Sequence, residues 1–134
     1  MSHELPDRHF PTAWIPSAQP WQGTCLSGNG ADAEIHGNQQ GTVHGGLLSE
    51  LADAAIGTAH STVVEGDESF TSIDLRINFF RPVWRATLMA KASPVRRGRT
   101  VSHYQCEIIR EDGKQVALAA GTIMTLRGPA AHGR

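Results

Sequence analysis

Between Gly45 and about His60 the apolar positions Leu48, Leu51, Ala52, Ala55 and Ala59 recur at steps of three and four residues. That period predicts a helix with one buried stripe. Gly57 weakens its last turn, and Glu65-Gly66-Asp67 supplies a stop. The period then changes to two. Ile73, Leu75, Ile77 and Phe79 alternate with Ser72, Asp74, Arg76 and Asn78, which predicts a half-buried strand ended by Pro82. "ATLMAKASPVRRG", "TVSHYQCEIIRED" and "KQVALAAGTIMTLRG" read as three more strands, with turns near Arg97-Gly98 and Asp112-Gly113 that suit antiparallel connections.

Ahead of the helix the pattern is weaker. Pro6, Pro11, Pro16 and Pro20 disfavour helix and ladder alike, so residues 1–30 read as an extended arm with Phe10, Trp14 and Trp21 as anchors. Glycine and polar residues dominate from Gly23 to Gly41 and leave room for one short strand around Ala31 to His36. Residues 128–134 read as a loose tail. The domain proper then covers 31–127: a short strand, a long helix and four consecutive antiparallel strands. An apolar helix stripe needs a sheet face to cover it, so the expected α+β fold is one curved sheet wrapped around one helix, the layout of a hotdog domain.

A length of 134 residues suits one domain, and the apolar share of 40% with 19% charged residues excludes a disordered or collagen-like chain. The formal net charge of -1 announces neither a nucleic-acid nor an anionic-membrane partner. Cys25 and Cys106 are far apart and form no metal-binding spacing, so no zinc site or disulfide framework is expected. No apolar run reaches signal-peptide or membrane-spanning length, and a cytoplasmic location is the expectation.

The segment "NQQGTVHGG" from Asn38 to Gly46, followed by "LAD" ending at Asp53, resembles the phenylacetate-degradation-type (PaaI-like) branch of the hotdog acyl-CoA thioesterases. "SIDL" from Ser72, "RP" at Arg81-Pro82 and "RGRT" from Arg97 extend the likeness over roughly residues 31–127. The resemblance implies hydrolysis of an acyl- or aryl-CoA thioester, with Asp53 as general base or nucleophile and the Gly45 N–H polarising the carbonyl. It implies that Asn38 orients the water or carbonyl, that Ser72 helps hold the water, and that His44 serves the turn and substrate channel. No separate cofactor is implied, since coenzyme A is part of the substrate.

Thioester hydrolysis needs an acid and oxyanion donors. Gly45 and Gly46 would expose first-turn N–H groups that have no helical acceptor, with the positive end of the helix dipole behind them; the plainer reading is a glycine pair that only shapes the chain. Asp53 lies eight residues on, roughly 12 Å along the axis from Gly45, too far for both to touch one carbonyl. If they cooperate, the donor and the acid come from different subunits of a two-fold homodimer. The resemblance implies this too, and a homotetramer formed as a dimer of dimers is expected. A wheel at about 100° per residue puts Asp53 roughly 150° from the stripe centre, grouped with Gly46, Ser49, Glu50, Gly57 and His60 on a face that is solvated or covered by another subunit. Glu50, one turn earlier, is the alternative acid.

Arg96, Arg97 and Arg99 surround Gly98, and the resemblance favours binding of coenzyme A phosphates by Arg97 or Arg99 over a merely solvated hairpin. Two rival functions remain open: a hotdog hydratase or dehydratase on acyl thioesters, and a dimeric acyl-CoA-binding module without catalysis.

Overall fold

A computed structural model of the chain describes residues 13–16, 24–32 and 37–132. Six strands form one sheet: β1 (Ala13–Pro16), β2 (Thr24–Asp32), β3 (Ser69–Phe79), β4 (Arg85–Arg97), β5 (Val101–Arg110) and β6 (Gln115–Leu126). The helix, α1 (Gly45–Ser61), follows β2 in the chain. Every neighbouring pair is antiparallel, in the order β1-β2-β4-β5-β6-β3. β3 therefore sits at one edge beside β6, rather than beside β4, which follows it in sequence.

The apolar stripe of α1 accounts for the assembly. Leu48, Leu51, Ala52, Ala55, Ile56 and Ala59 are buried against inward residues of β4, β5 and β6 such as Leu88, Ala90, Cys106, Ile108, Ala119 and Ile123. Ile56, Leu88, Ile108 and Ile123 are fully buried, and each such side chain contributes about 1.5–3 kcal/mol relative to exposure. No helix among the described residues is long and apolar enough to cross a membrane.

Three expectations change. The strand placed around Ala31 to His36 is β2, at Thr24–Asp32, and its pairing with β4 shifts between Asn29 and Ala31. Glycines and polar residues hide its period, and partner hydrogen bonds override weak propensity. The sheet also begins inside the segment read as an arm, because β1 pairs with β2 from Ala13 to Pro16. An edge strand uses one side of its backbone, so a proline is tolerated at its end. Of the other anchors, Phe10 and Trp21 lie outside the described residues. The tail from Gly128 opens with a 3-10 turn over Gly128–Ala131.

The third change is His60. Grouped with the outer face by the wheel, it is only 2% exposed. It lies on the flank of the stripe, where β5 and β6 reach over the end of α1. Its Nδ1 is 2.9 Å from the Tyr104 hydroxyl and its Nε2 3.0 Å from Thr125 Oγ1, so a neutral ring donates through one nitrogen and accepts through the other. The rings of Phe70 and Tyr104 meet it edge-on, with centroids at 5.1 and 5.7 Å. Burial lowers the His60 pKa below its ordinary 6.5, and the Arg97 charge adds to the effect.

A histidine with a lowered folded pKa binds protons more weakly in the folded state than in the unfolded chain. Its contribution is complete above its unfolded value of 6.5 and is lost as pH falls below that value towards the folded one. Glu68 also has a lowered pKa, first through the Glu65 N–H and then through Arg127, but its window begins lower, at the carboxylate value of 4.5. Urea unfolding between about pH 8 and about pH 5 should show wild-type stability falling below about pH 6.5, and His60→Gln should be less stable at neutral pH with a flatter profile. Equal slopes for the two proteins would show that His60 does not carry the acid sensitivity.

Candidate active site

The turn before α1 is built by Asn38. Its Oδ1 accepts from the backbone N–H groups of Gln40 at 2.8 Å and Thr42 at 3.3 Å, and its Nδ2 donates to Thr42 Oγ1 at 3.1 Å. The backbone closes the same loop, with Asn38 N–H donating to the Thr42 carbonyl at 2.7 Å and Gly41 at a φ of 79°. That left-handed conformation favours glycine. The turn delivers His44 as the N-cap of α1, where its Nδ1 accepts from the Gly46 N–H at 2.9 Å. Nδ1 as acceptor puts the proton of the neutral ring on Nε2.

These bonds distinguish the two glycines. The Gly46 N–H is held by His44, whereas the Gly45 N–H, first in the helix, has no acceptor among the described residues. It lies at a pocket of about 400 Å³ that also includes Asn38, Thr42, Leu48, Phe79, Phe80 and Val83. Phe79 packs against residue 45: a Cβ built there would lie 2.8 Å from Phe79 Cζ, so a side chain at 45 would need the half-exposed ring to move.

Asp53 projects from the outer arc of α1 and is exposed. Ser72 Oγ donates to its Oδ1 at 3.1 Å. Glu50, Ser49, Ser72, Ile73 and Leu75 line the same open groove. The alternation in β3 would have put Ser72 on the opposite face from Leu75 and Ile77. A bulge resolves this: the register with β6 runs Ser72 to Ile123 and then Asp74 to Thr122, leaving Ile73 as the extra residue. Inserting one residue inverts the facing parity. Phe70 and Ser72 before the bulge, and Leu75 and Ile77 after it, consequently face the helix side, while Ile73 is 53% exposed. Perfect alternation in the sequence concealed the bulge; Phe70, apolar and an even number of residues from Ser72, was the available signal.

The sequence-derived candidates therefore form three groups. Asn38, His44, Gly45 and Gly46 organise the start of α1; Asp53, Glu50 and Ser72 share the groove beside β3. Arg97 and Arg99 line a third hollow, at the far end of α1, with His60, Glu68 and Arg127. Arg97 donates there to the Val63 carbonyl at 3.3 Å. Within one chain the first two groups stay apart, with Asp53 eight positions along the helix from Gly45. Sequence reasoning missed the Phe79 contact with Gly45 and the His60 network, both made by residues distant in the chain.

Comparison with known proteins bears on this arrangement. Residues 40–117 match the family model described as the Thioesterase superfamily, a span that holds the helix start, Asp53 and Ser72. A protein of Deinococcus radiodurans named as a putative esterase is 36% identical over 88 residues, covering 64% of this chain and 58% of that protein. The match thus spans under two thirds of that relative's length. A medium/long-chain acyl-CoA thioesterase of Salmonella typhimurium is 30% identical over 98 residues, covering 63% of each. Among solved structures, a mutant of the phenylacetic acid degradation protein PaaI from Thermus thermophilus is 32% identical with a TM-score of 0.72, covering 84% of this chain and 90% of that one. The six-stranded antiparallel sheet packed around α1 in the described residues is the hotdog fold, and the chain belongs to the Thioesterase superfamily.

Proposed function

We propose that the protein is an acyl-CoA thioesterase whose site joins two chains. The observation that carries this reading is Asp53, held by Ser72 at 3.1 Å on an open groove, on the same helix as the Gly45 N–H, which has no acceptor among the described residues. Both half-sites lie along edge strand β3, Asp53 beside Ser72 and Gly45 beside Phe79. A two-fold axis near Ser49 and the Leu75-Arg76 peptide would reverse the two copies side by side. Each Asp53 would then face the other chain's Gly45, with the open edges of β3 running antiparallel.

In this site the Gly45 N–H holds the thioester carbonyl oxygen. Asp53 of the other chain removes a proton from water as the new C–O bond forms, and charge passes to the oxygen at Gly45. Collapse of the tetrahedral intermediate breaks the C–S bond, and the departing thiolate takes up the proton from Asp53. The products are the free acid and coenzyme A. A nucleophilic Asp53 would instead form an acyl-enzyme anhydride that water opens; oxygen-18 entering the Asp53 carboxyl in a single turnover distinguishes that route. Ser72 orients the carboxylate, Asn38 fixes the turn that presents Gly45, and His44, by capping Gly46, leaves Gly45 as the available donor. Arg97 and Arg99 are assigned to the coenzyme A phosphates.

A panel of aliphatic and aromatic acyl-CoAs assayed by thiol release should give turnover, and Asp53→Asn should lower kcat by roughly 10²–10⁴-fold. Unchanged turnover in that variant would remove Asp53 from the mechanism, and binding without release from any thioester would favour a non-catalytic acyl-CoA module. Gly45→Pro tests the donor. Proline is tolerated at the first helical position, and His44 already has the extended φ of -63° and ψ of 136° that a following proline requires. This variant should fold and lose about 10²–10³-fold in kcat. Gly45→Ala, which keeps the N–H and also adds a Cβ towards Phe79, should lose much less. Equal losses would point to crowding rather than the missing N–H.

A further inference from the structure

The ring tip of Phe79 packs against Gly45 on the side where a Cβ would stand. A Cβ on residue 45 would lie 2.8 Å from Cζ, 3.1 Å from Cε1 and 3.3 Å from Cε2, so the ring stands where a side chain of residue 45 would begin. Phe79 belongs to the helix-facing set of β3, opposite Ala117 in the register, yet is 53% exposed at the strand end. Beyond it the pocket of about 400 Å³ continues between Val43, Leu48, Phe80 and Val83, with Asn38 and Thr42 on its polar side.

A carbonyl oxygen accepting from Gly45 sits about 2.9 Å from that nitrogen, and Phe79 is the side chain that packs against the same residue, on its Cβ side. We infer that Phe79 is a specificity-determining residue that selects acyl groups unbranched at the carbon adjacent to the thioester carbonyl. A methylene passes the ring tip towards the Val43, Leu48 and Val83 side of the pocket, whereas an extra methyl at that carbon meets the ring. This rests on the two-chain thioesterase reading, because it uses the Gly45 N–H as the carbonyl anchor.

Butyryl-CoA and isobutyryl-CoA have the same atoms and differ in that one branch. The wild-type kcat/KM ratio should favour butyryl by roughly 10-fold or more, the scale set by one misplaced methyl group in a tight pocket. Phe79→Ala should bring the ratio to about unity by raising isobutyryl hydrolysis relative to butyryl, with Phe79→Leu between. A ratio unchanged in Phe79→Ala, with both rates falling together, would overturn the inference and leave the thioesterase reading standing. The dissociation constants of the two thioesters for Asp53→Asn, with and without Phe79→Ala, supply a readout that needs no turnover. Discrimination there that depends on Phe79, alongside a wild-type protein that hydrolyses neither thioester, would support the inference while refuting the catalytic reading. Failure to bind or hydrolyse either would overturn both.

Discussion

Burial of the Leu48-Leu51-Ala52-Ala55-Ile56-Ala59 stripe fixes the rotation of α1 against the sheet, and the direction of every other group on the helix follows. Once that stripe is inward, Glu50 and Asp53 face outward. The core also sets the helix start. Leu48 is buried one turn inside it, and Val43, buried just before it, donates its N–H to the Val83 carbonyl at 2.7 Å. The Asn38 turn and the Gly45 N–H are thereby tied to the loop between β3 and β4. Several fully buried aliphatic side chains hold this orientation against the smaller preferences of individual polar residues.

The same stripe was the part of the fold most legible in the sequence, because a 3.6-residue period survives any detail of loop or register. β4, β5 and β6 were legible for a similar reason. What was not legible depended on partners. β2 draws its regularity from β4, and its glycines give no alternation to read. His60 looked external on a wheel, which treats the helix as lying on a plane, whereas the curved sheet reaches its flank and supplies Tyr104 and Thr125. The alternation of β3 conceals its bulge, so by period alone Ser72 falls on the face away from Asp53, although the family resemblance places both at the site. Periodicity gives the local frame, and a one-residue shift decides which side chains meet.

The candidate chemistry follows from that frame. His44 capping Gly46 and Ser72 bonding Asp53 are local contacts, each holding one half of a site. The pairing of the halves is a matter of distance. Eight residue steps along the helix separate an acid from a backbone donor by roughly 12 Å, and no side-chain rotamer closes that gap. An edge strand carrying both halves offers a way for a second copy to close it.

The two-chain site is tested most directly by mixing two inactive proteins. Asp53→Asn chains retain a sound Gly45, and Gly45→Pro chains retain a sound Asp53. After denaturation and refolding of an equal mixture, about half the dimers would be mixed, each with one complete site of two, so about a quarter of wild-type thioester hydrolysis should return. Activity no higher than the average of the two separate variants would contradict a site shared between subunits.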